Sequence, residues 1–179
     1  QGRTMSAEGL MVSGSYFPVL GIAPALGRLI GPDDAKVKGD GRVAVLAYEY
    51  WRGALGADPA VVGKTIIVNG QSLEIIGVAP REFQGTTLTL APKVWVPVTL
   101  RETMNPGWTG FESRRSYWAY LFARLKPGVT IEQASASLNT QYGAIIQNVE
   151  VPLQQGMSDK TMAEFKAKQV VLVPGALGQ

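Results

Sequence analysis

Alternating and β-branched residues predict several short strands in the first hundred residues. Residues 9–13, GLMVS, read as a strand leading into a turn, and residues 42–47, RVAVLA, as a buried strand. The clearest pattern is a hairpin, because Asn69-Gly70 supplies the two positive-φ positions of a type I′ turn between KTIIV and QSLEIIGV. In a further strand, KVWVPVTL, Pro97 predicts an edge position or a bulge, because proline lacks a backbone N–H.

Helical spacing accounts for other segments. Short helices are predicted at YFPVLG and YEYWRGALG, ended by Gly21 and Gly56. Thr130 and Gln133 have the spacing of a capping box at the start of a longer helix. The apolar positions of that helix recur at steps of three and four, which predicts that this face lies in the core: Ile131, Ala134, Leu138, Tyr142, Ile145 and Val149. A weaker helix through SDKTMAEFKAKQ lies between two predicted strands, YWAYLFARLKPG and VVLVP.

The order of these elements predicts an α+β fold in two small subdomains. Residues 1–29 and 117–179 form the two parts of one subdomain, and residues 30–100 form a smaller α+β unit inserted into it. Residues 101–116 combine proline, two glycines and mixed charges, which indicates a linker or a long exposed loop.

The run Gly63-Lys64-Thr65 has the last residues of a phosphate-binding loop, but its surroundings contradict that interpretation. Asp58 stands where the first glycine of such a loop is needed, and its carboxylate would repel phosphate oxygens. A strand, not a helix, follows Thr65. We therefore interpret the segment as a helical turn capped by Asp58, with Pro59 at its first position and Gly63 at its end.

The amino-acid composition excludes several classes of active site and binding site. The chain of 179 residues is 46% apolar and 17% charged, which indicates a folded globular protein. It has no cysteine and no histidine, which excludes disulfides, thiolate sites, Ser-His-Asp triads and the usual zinc ligands. The net charge of +3 is dispersed, so nucleic-acid binding is not expected. Asp33-Asp34 could form half of a catalytic pair or a cation site, but adjacent acids in a Gly-Pro loop are usually solvated. We assign no catalytic, cofactor-binding or metal-binding residue.

Aromatic and arginine residues cluster in one segment that we predict to contact a partner: Trp108, Phe111, Arg114 and Arg115. These residue types dominate protein contacts because they bury a large area and keep polar groups at their ends. The competing interpretation, which the usual packing of aromatic residues favours, is structural. In it, Tyr117 and Trp118 begin a strand and Trp108 packs beneath the loop.

Five fragments, in their order and spacing, resemble the MacB-like periplasmic core domain of ABC-type permeases over roughly residues 8–175: VSGSYFPVLGIAPALGR, VAVLAYEYW, DPAVVGKTIIVNGQSLEIIGVAP, VWVPV and LFARLKPGVTIEQASASLN. The resemblance implies a porter-like α+β subdomain, formed by residues 1–29 and 117–179, with a Sabre-like insertion at 30–100. The piece seen here would lack the first strand or two of the porter-like part and the membrane helices of the longer protein.

The same resemblance implies a location and a function. It places the domain on the periplasmic side of an inner-membrane MacB/FtsX-like permease. There it would transmit movement from a cytoplasmic ABC ATPase, through its own membrane helices, to a periplasmic adaptor or a substrate in export or efflux. A dimer is expected in the full transporter, without a cofactor and without enzymatic activity. The rival hypothesis is a carboxylate-dependent hydrolase or carbohydrate-processing domain, which requires two acids converging in a cleft.

Overall fold

The computed structural model describes residues 7–87, 90–114 and 116–175. The described chain divides into two compact units, of which the first ends at Phe122 and the second begins at Ala123. Helices and strands occur together in the first unit, so the predicted α+β class is confirmed.

A mixed sheet forms the centre of the first unit. Its described strands are β1 (Gly9–Val12), β2 (Leu26–Gly27), β3 (Val43–Leu46), β4 (Thr65–Val68), β5 (Gln71–Val78) and β6 (Val94–Pro97). They lie in the order β1-β6-β3-β5-β2, and β4 pairs with the other end of β5. The pairs β1–β6 and β3–β5 are parallel, whereas the remaining pairs are antiparallel. Strands from the predicted segments 1–29 and 30–100 therefore share one sheet, and the assignment of those segments to two subdomains stays a prediction.

Both faces of this sheet are buried. Alternate residues of β3 and β6 point to opposite sides, as the two-residue period of a strand requires. One face packs Ala44, Leu46, Val94 and Val96 beneath the helix α2 (Tyr48–Ala54). The other face packs Val45, Trp95 and Ile76 against the helix α1 (Tyr16–Leu20) and Phe83. The first unit thus has a three-layer arrangement with the sheet in the middle.

The hairpin prediction is confirmed in detail. Asn69 and Gly70 have φ values of 46° and 76°, and they connect β4 to β5. The turn before the hairpin is also as predicted, because the Asp58 carboxylate accepts a hydrogen bond of 2.9 Å from the N–H of Ala60 and Pro59 begins a short 3₁₀ turn. Local turn chemistry was sufficient to predict this region.

The edge position predicted from Pro97 is wrong, because β6 lies between β1 and β3. Pro97 is tolerated there for a local reason: it is the last residue of β6, and only Val94 and Trp95 pair with β3. The missing N–H therefore removes no bond from that ladder. After β6 the chain forms a 3₁₀ turn and then α3 (Arg101–Met104), in which Met104 is buried, so residues 101–116 begin with folded structure.

The second unit contains two principal helices. The first, α4 (Ile131–Ile145), continues through a π-helical turn (Ile146–Glu150), and α5 (Asp159–Lys166) follows. The predicted capping box is confirmed: the Thr130 hydroxyl accepts a bond of 3.2 Å from the N–H of Gln133, whose side chain accepts one of 3.0 Å from the N–H of Thr130.

Two predictions about the C-terminal third are wrong. Residues 117–126 and 170–174 were expected to form strands, but the structure assigns them to no sheet. A strand needs a neighbour to satisfy its backbone groups. In the described part of the chain, the backbone of Val170 bonds to a side chain instead. The N–H of Val170 donates to the Asn139 side-chain oxygen at 2.7 Å, and the Asn139 side-chain nitrogen donates to the carbonyl of Val170 at 3.0 Å.

The apolar face of α4 was predicted to lie in the core, and this too is wrong. Leu138, Ile145 and Val149 are 38%, 49% and 40% exposed. In the described residues of this helix and its π-helical extension, Ile146 alone is buried. An apolar stripe becomes core only where another layer covers it, and the described part of the second unit contains no sheet to do so.

Candidate partner-contact surface

Three aromatic side chains pack together in the predicted contact segment. The ring centroid of Trp108 lies 4.9 Å from that of Phe111 and 5.0 Å from that of Trp118, and Phe111 and Trp118 are 5.2 Å apart. All three pairs meet edge to face, the arrangement that the quadrupoles of aromatic rings favour. We call Trp108, Phe111 and Trp118 the aromatic triad. At these separations the rings fill the space between them.

Arg101 of α3 covers the triad. Its guanidinium carbon lies 4.4 Å from the ring centroid of Trp108 and 5.2 Å from that of Trp118, which are cation–π distances. The Nε atom of Arg101 is buried without a hydrogen-bond partner among the described residues. The indole faces therefore provide much of the environment of this cation.

Lys38 ties a distant loop to the same segment. Its ammonium group forms ion pairs with Glu102 at 2.9 Å and with Glu112 at 3.3 Å, and it lies 5.8 Å from the ring centroid of Phe111. The hydrogen bond to Glu102 is the main reason that the pKa of Lys38 is raised. Backbone contacts strengthen the attachment, since the N–H of Gly39 donates to the carbonyl of Thr99 at 2.8 Å.

Of the four predicted contact residues, the structure brings Trp108 and Phe111 together, and both are half-buried. Arg114 is exposed, and Arg115 lies outside the described residues. The competing interpretation fits Trp108, which packs over Gly110 so closely that a Cβ there would lie 2.2 Å from the indole. It does not fit Tyr117, which begins no strand and is 93% exposed. A contact role for the four residues stays a prediction.

Sequence reasoning missed the two cations of this region and its most exposed apolar residues. Lys38 reaches the triad from a distant loop, and Arg101 reaches it from α3, a helix at the start of the segment that had been interpreted as a linker. Beyond the triad, Tyr117, Tyr120 and Leu121 are 93%, 77% and 92% exposed. Large apolar side chains concentrated at the surface are typical of interaction sites, and here the alternating pattern had been attributed to a strand.

The acidic residues that could have formed a catalytic or metal site have structural partners. The Asp34 carboxylate forms a bidentate pair with Arg28, at 2.6 and 2.8 Å, and accepts a bond of 2.9 Å from the N–H of Gly31. The bond from Arg28 is the main cause of a lowered pKa for Asp34. Asp33 pairs with Lys36. Across the described residues, no three acidic side chains lie close enough together to hold a metal ion.

Lys64, the lysine of the apparent phosphate-loop motif, also has a structural partner. Its ammonium group lies 2.7 Å from the carboxylate of Asp58, and this bond is the main cause of the lowered pKa of Asp58. Thr65 begins β4 where a phosphate loop requires a helix. The geometry therefore agrees with a turn between structural elements.

Comparison of the sequence with known protein families shows the family to which this chain belongs. The pattern of the MacB-like periplasmic core domain matches residues 1–141, which is most of the chain. The chain belongs to this family. It is therefore the periplasmic core domain of a MacB-like ABC transporter permease, as the resemblance implied. No curated protein matches the sequence.

Solved structures share the fold of this MacB-like domain. The periplasmic region of MacB from Actinobacillus actinomycetemcomitans superposes with a TM-score of 0.53 at 20% identity, over 79% of this chain and 58% of that one. A domain of a proposed permease protein from Porphyromonas gingivalis superposes with a TM-score of 0.51 at 17% identity, over 93% of this chain and 75% of that one. The MacB-like domain thus spans 58% of the MacB periplasmic region. None of its described helices has the length and apolar character needed to cross a bilayer.

Proposed function

We propose that this domain transmits conformational change from a cytoplasmic ABC ATPase to a periplasmic partner or substrate during export or efflux. Membrane helices of the full-length permease would carry the movement to the domain, and the full transporter would be a dimer. Family membership supports the location, and the structure of the first unit supports the mechanism. A transmitting domain must move as a body and must not deform locally, because packed elements pass on displacement only if they keep their arrangement.

The observation that carries this proposal is the attachment of the contact segment to the sheet. Arg101 covers the aromatic triad, and Lys38 links the segment to a second loop through Glu102 and Glu112. Leu100, just before α3, and Met104, at its end, are buried in the same core cluster as Leu46 and Val96 of the sheet, which attaches the start of the segment to the sheet. A partner that docks on this segment would therefore feel any displacement of the sheet.

We propose that the docking surface consists of the predicted contact residues together with the exposed apolar residues that follow them. Trp108 and Phe111 would act mainly as support, since their ring faces are occupied within the triad. Arg114 and Arg115 would supply charge, and Tyr117, Tyr120 and Leu121 would supply apolar area. A periplasmic adaptor protein of the transporter is the partner that this location favours.

The absence of enzymatic activity belongs to the same proposal. A carboxylate-dependent hydrolase would need two acids whose environments give them different protonation states. Asp34, Asp58 and Glu49 are each engaged by a basic side chain of the fold instead. No contact among the described residues favours the hydrolase or carbohydrate-processing alternative.

Distance measurements in the full transporter test the proposal. These 179 residues contain no cysteine, so once any cysteines elsewhere in the transporter are replaced, a spin label at Val37→Cys, an exposed site, reports the separation of the two copies of the domain. We expect the distance between copies to change by several ångströms between the nucleotide-free state and the state trapped with ATP and vanadate. A pair of labels within one first unit, at Val37→Cys and Ile67→Cys, should keep its distance in both states.

Either of two results would contradict transmission by a rigid body. The distance between copies could be the same in both nucleotide states, in which case the domain does not follow the ATPase. Alternatively, the distance within one unit could change as much as the distance between copies, in which case the domain deforms and does not transmit.

A further inference from the structure

The strand β4 forms an open edge of the sheet. It pairs with β5 alone, and Ile67 on it is 73% exposed. Proteins usually protect such edges with charged side chains, prolines, bulges or a covering loop, because the unpaired backbone groups accept another strand. The four residues of β4, TIIV, include no charge and no proline. The nearest lysine, Lys64, is held by Asp58 at 2.7 Å and so does not guard the edge.

The hairpin register determines which backbone groups point outward. A two-residue turn places Val68 and Gln71 in a hydrogen-bonded pair, and such pairs alternate along an antiparallel ladder. The carbonyl of Lys64, which accepts a bond of 2.8 Å from Ile75, agrees with this alternation. The N–H and C=O groups of Thr65 and Ile67 therefore face away from β5. In the described part of the chain they have no backbone partner.

We propose that β4 pairs antiparallel with β4 of a second copy of this chain, about a two-fold axis at Ile66. Outward-facing residues can pair only with outward-facing residues, so a two-fold axis must pass through Thr65, Ile66 or Ile67. An axis at Ile66 places Thr65 opposite Ile67 of the other copy on both sides and uses every outward group of the strand. An axis at Ile67 would place Thr65 opposite Asn69, and an axis at Thr65 would place Ile67 opposite Gly63; the φ values of these two partners, 46° and 83°, do not fit a ladder.

The side chains of β4 suit this arrangement. Ile66 and Val68 pack against one core cluster, so Ile66 opposite its own copy extends that apolar face across the axis. No charged residue of β4 meets a like charge. Self-complementarity of this kind is what a two-fold interface requires, and it favours a second copy over a strand of unrelated sequence.

The interface is small, so the dimer should be weak. Four residues on each side bury much less than the roughly 1,200–2,000 Å² of a stable complex. The pairing would then depend on high concentration, or on copies held close together, which raises the effective concentration. This inference stands apart from the proposed function, because the edge exists whether or not the domain transmits movement.

Disulfide formation between two single-cysteine variants tests the register. Thr65→Cys and Ile67→Cys place thiols at exposed positions of a chain that has no cysteine of its own. In the proposed pairing these two positions face each other with Cα atoms about 5.5 Å apart, within the range of a disulfide. Two Thr65 positions, or two Ile67 positions, would be diagonal neighbours at about 7–8 Å or more.

After mild oxidation of an equimolar mixture at high concentration, intact mass separates the three possible dimers. We expect the mixed dimer to exceed each self-linked dimer at least five-fold. Random collision yields only a two-fold excess of the mixed dimer, and that result, or no crosslinking at all, would overturn the proposal.

Sedimentation of the cysteine-free chain provides a second readout. Ile67→Lys places a charge on the edge without touching the core, and we expect it to weaken self-association at least ten-fold. Val37→Lys is the matched control, since Val37 is 61% exposed in the same unit, and it should change nothing. A chain that stays monomeric at every concentration, or equal effects of the two lysines, would also overturn the proposal.

Discussion

The two units of this domain differ in whether the apolar residues of their periodic segments are buried. In the first unit, apolar residues at strand spacing formed a sheet that is covered on both faces. In the second unit, apolar residues at helical spacing formed α4 as expected, yet several residues of its apolar face stayed exposed. The difference shows that periodicity specifies a local conformation, whereas burial depends on whether another layer is available to pack against it.

The largest expected difference between the units is in the cost of truncating one apolar side chain in each. Trp95 is fully buried between Phe17 and Phe83, so Trp95→Ala should lower the free energy of unfolding of the first unit by about 3–5 kcal/mol. Leu138→Ala on α4 should cost less than about 1 kcal/mol, since this side chain already contacts water and alanine favours the helix. Urea unfolding measures both: tryptophan fluorescence follows the first unit, which contains all four tryptophans, and circular dichroism at 222 nm, a helix signal, follows α4 of the second. Equal costs would show that α4 is covered after all.

In the second unit, a pair of hydrogen bonds holds the backbone at Val170 to the helix α4. Asn139 bonds both backbone groups of Val170, so Asn139→Ala should leave them unpaired and destabilise this contact by roughly 1–3 kcal/mol. Hydrogen exchange at the Val170 amide should then become faster by one to two orders of magnitude. Asn139→Asp is the control, because it keeps an acceptor for the Val170 N–H and loses the donor to its carbonyl. If exchange at Val170 is unchanged in both variants, the segment is held by something else.

A smaller effect is expected at the surface of the first unit. Arg101→Ala removes the cation over Trp108 and Trp118 and should destabilise the unit by about 1–2 kcal/mol. Arg101→Lys should recover part of this, because an ammonium group still interacts with a ring face but does not stack as a planar guanidinium does. Thermal unfolding and near-ultraviolet circular dichroism of the triad report the change. Identical stabilities of the alanine and lysine variants would rule out a contribution from the charge.

The smallest expected effect is the pH dependence of stability that the Arg28–Asp34 ion pair gives to the first unit. Arg28 lowers the pKa of Asp34 in the folded protein, so this stabilisation is present above the pKa of an unfolded aspartate, about 3.9, and is lost as the pH falls through the folded-state pKa. Because Arg28 is 57% exposed, the contribution should be below about 1 kcal/mol. The difference in unfolding free energy between the unmodified chain and Asp34→Asn should shrink below pH 4. A difference that is constant from pH 2 to 6 would contradict this origin.

Local sequence signals determined much of this domain on their own. The Asn69-Gly70 turn, the Asp58 cap and the Thr130–Gln133 capping box each depend on groups within a few residues, and each formed as predicted. The absence of cysteine and histidine likewise restricts the available chemistry, whatever fold the chain adopts. Such features are determined by the sequence because they depend on residue types or on partners that are close along the chain.

Tertiary structure decided the rest, because the groups that matter come from distant segments. The position of β6 inside the sheet depends on β1 and β3, which lie more than forty residues before it. The covering of the aromatic triad depends on Lys38, which reaches Phe111 from a distant loop, and on the position that α3 gives to Arg101 over Trp108 and Trp118. Residues 117–126 and 170–174 have the composition of strands but acquired no strand neighbour. The local sequence does not determine which distant segment will pair with a backbone group or cover an apolar face. That partner is determined by the three-dimensional arrangement.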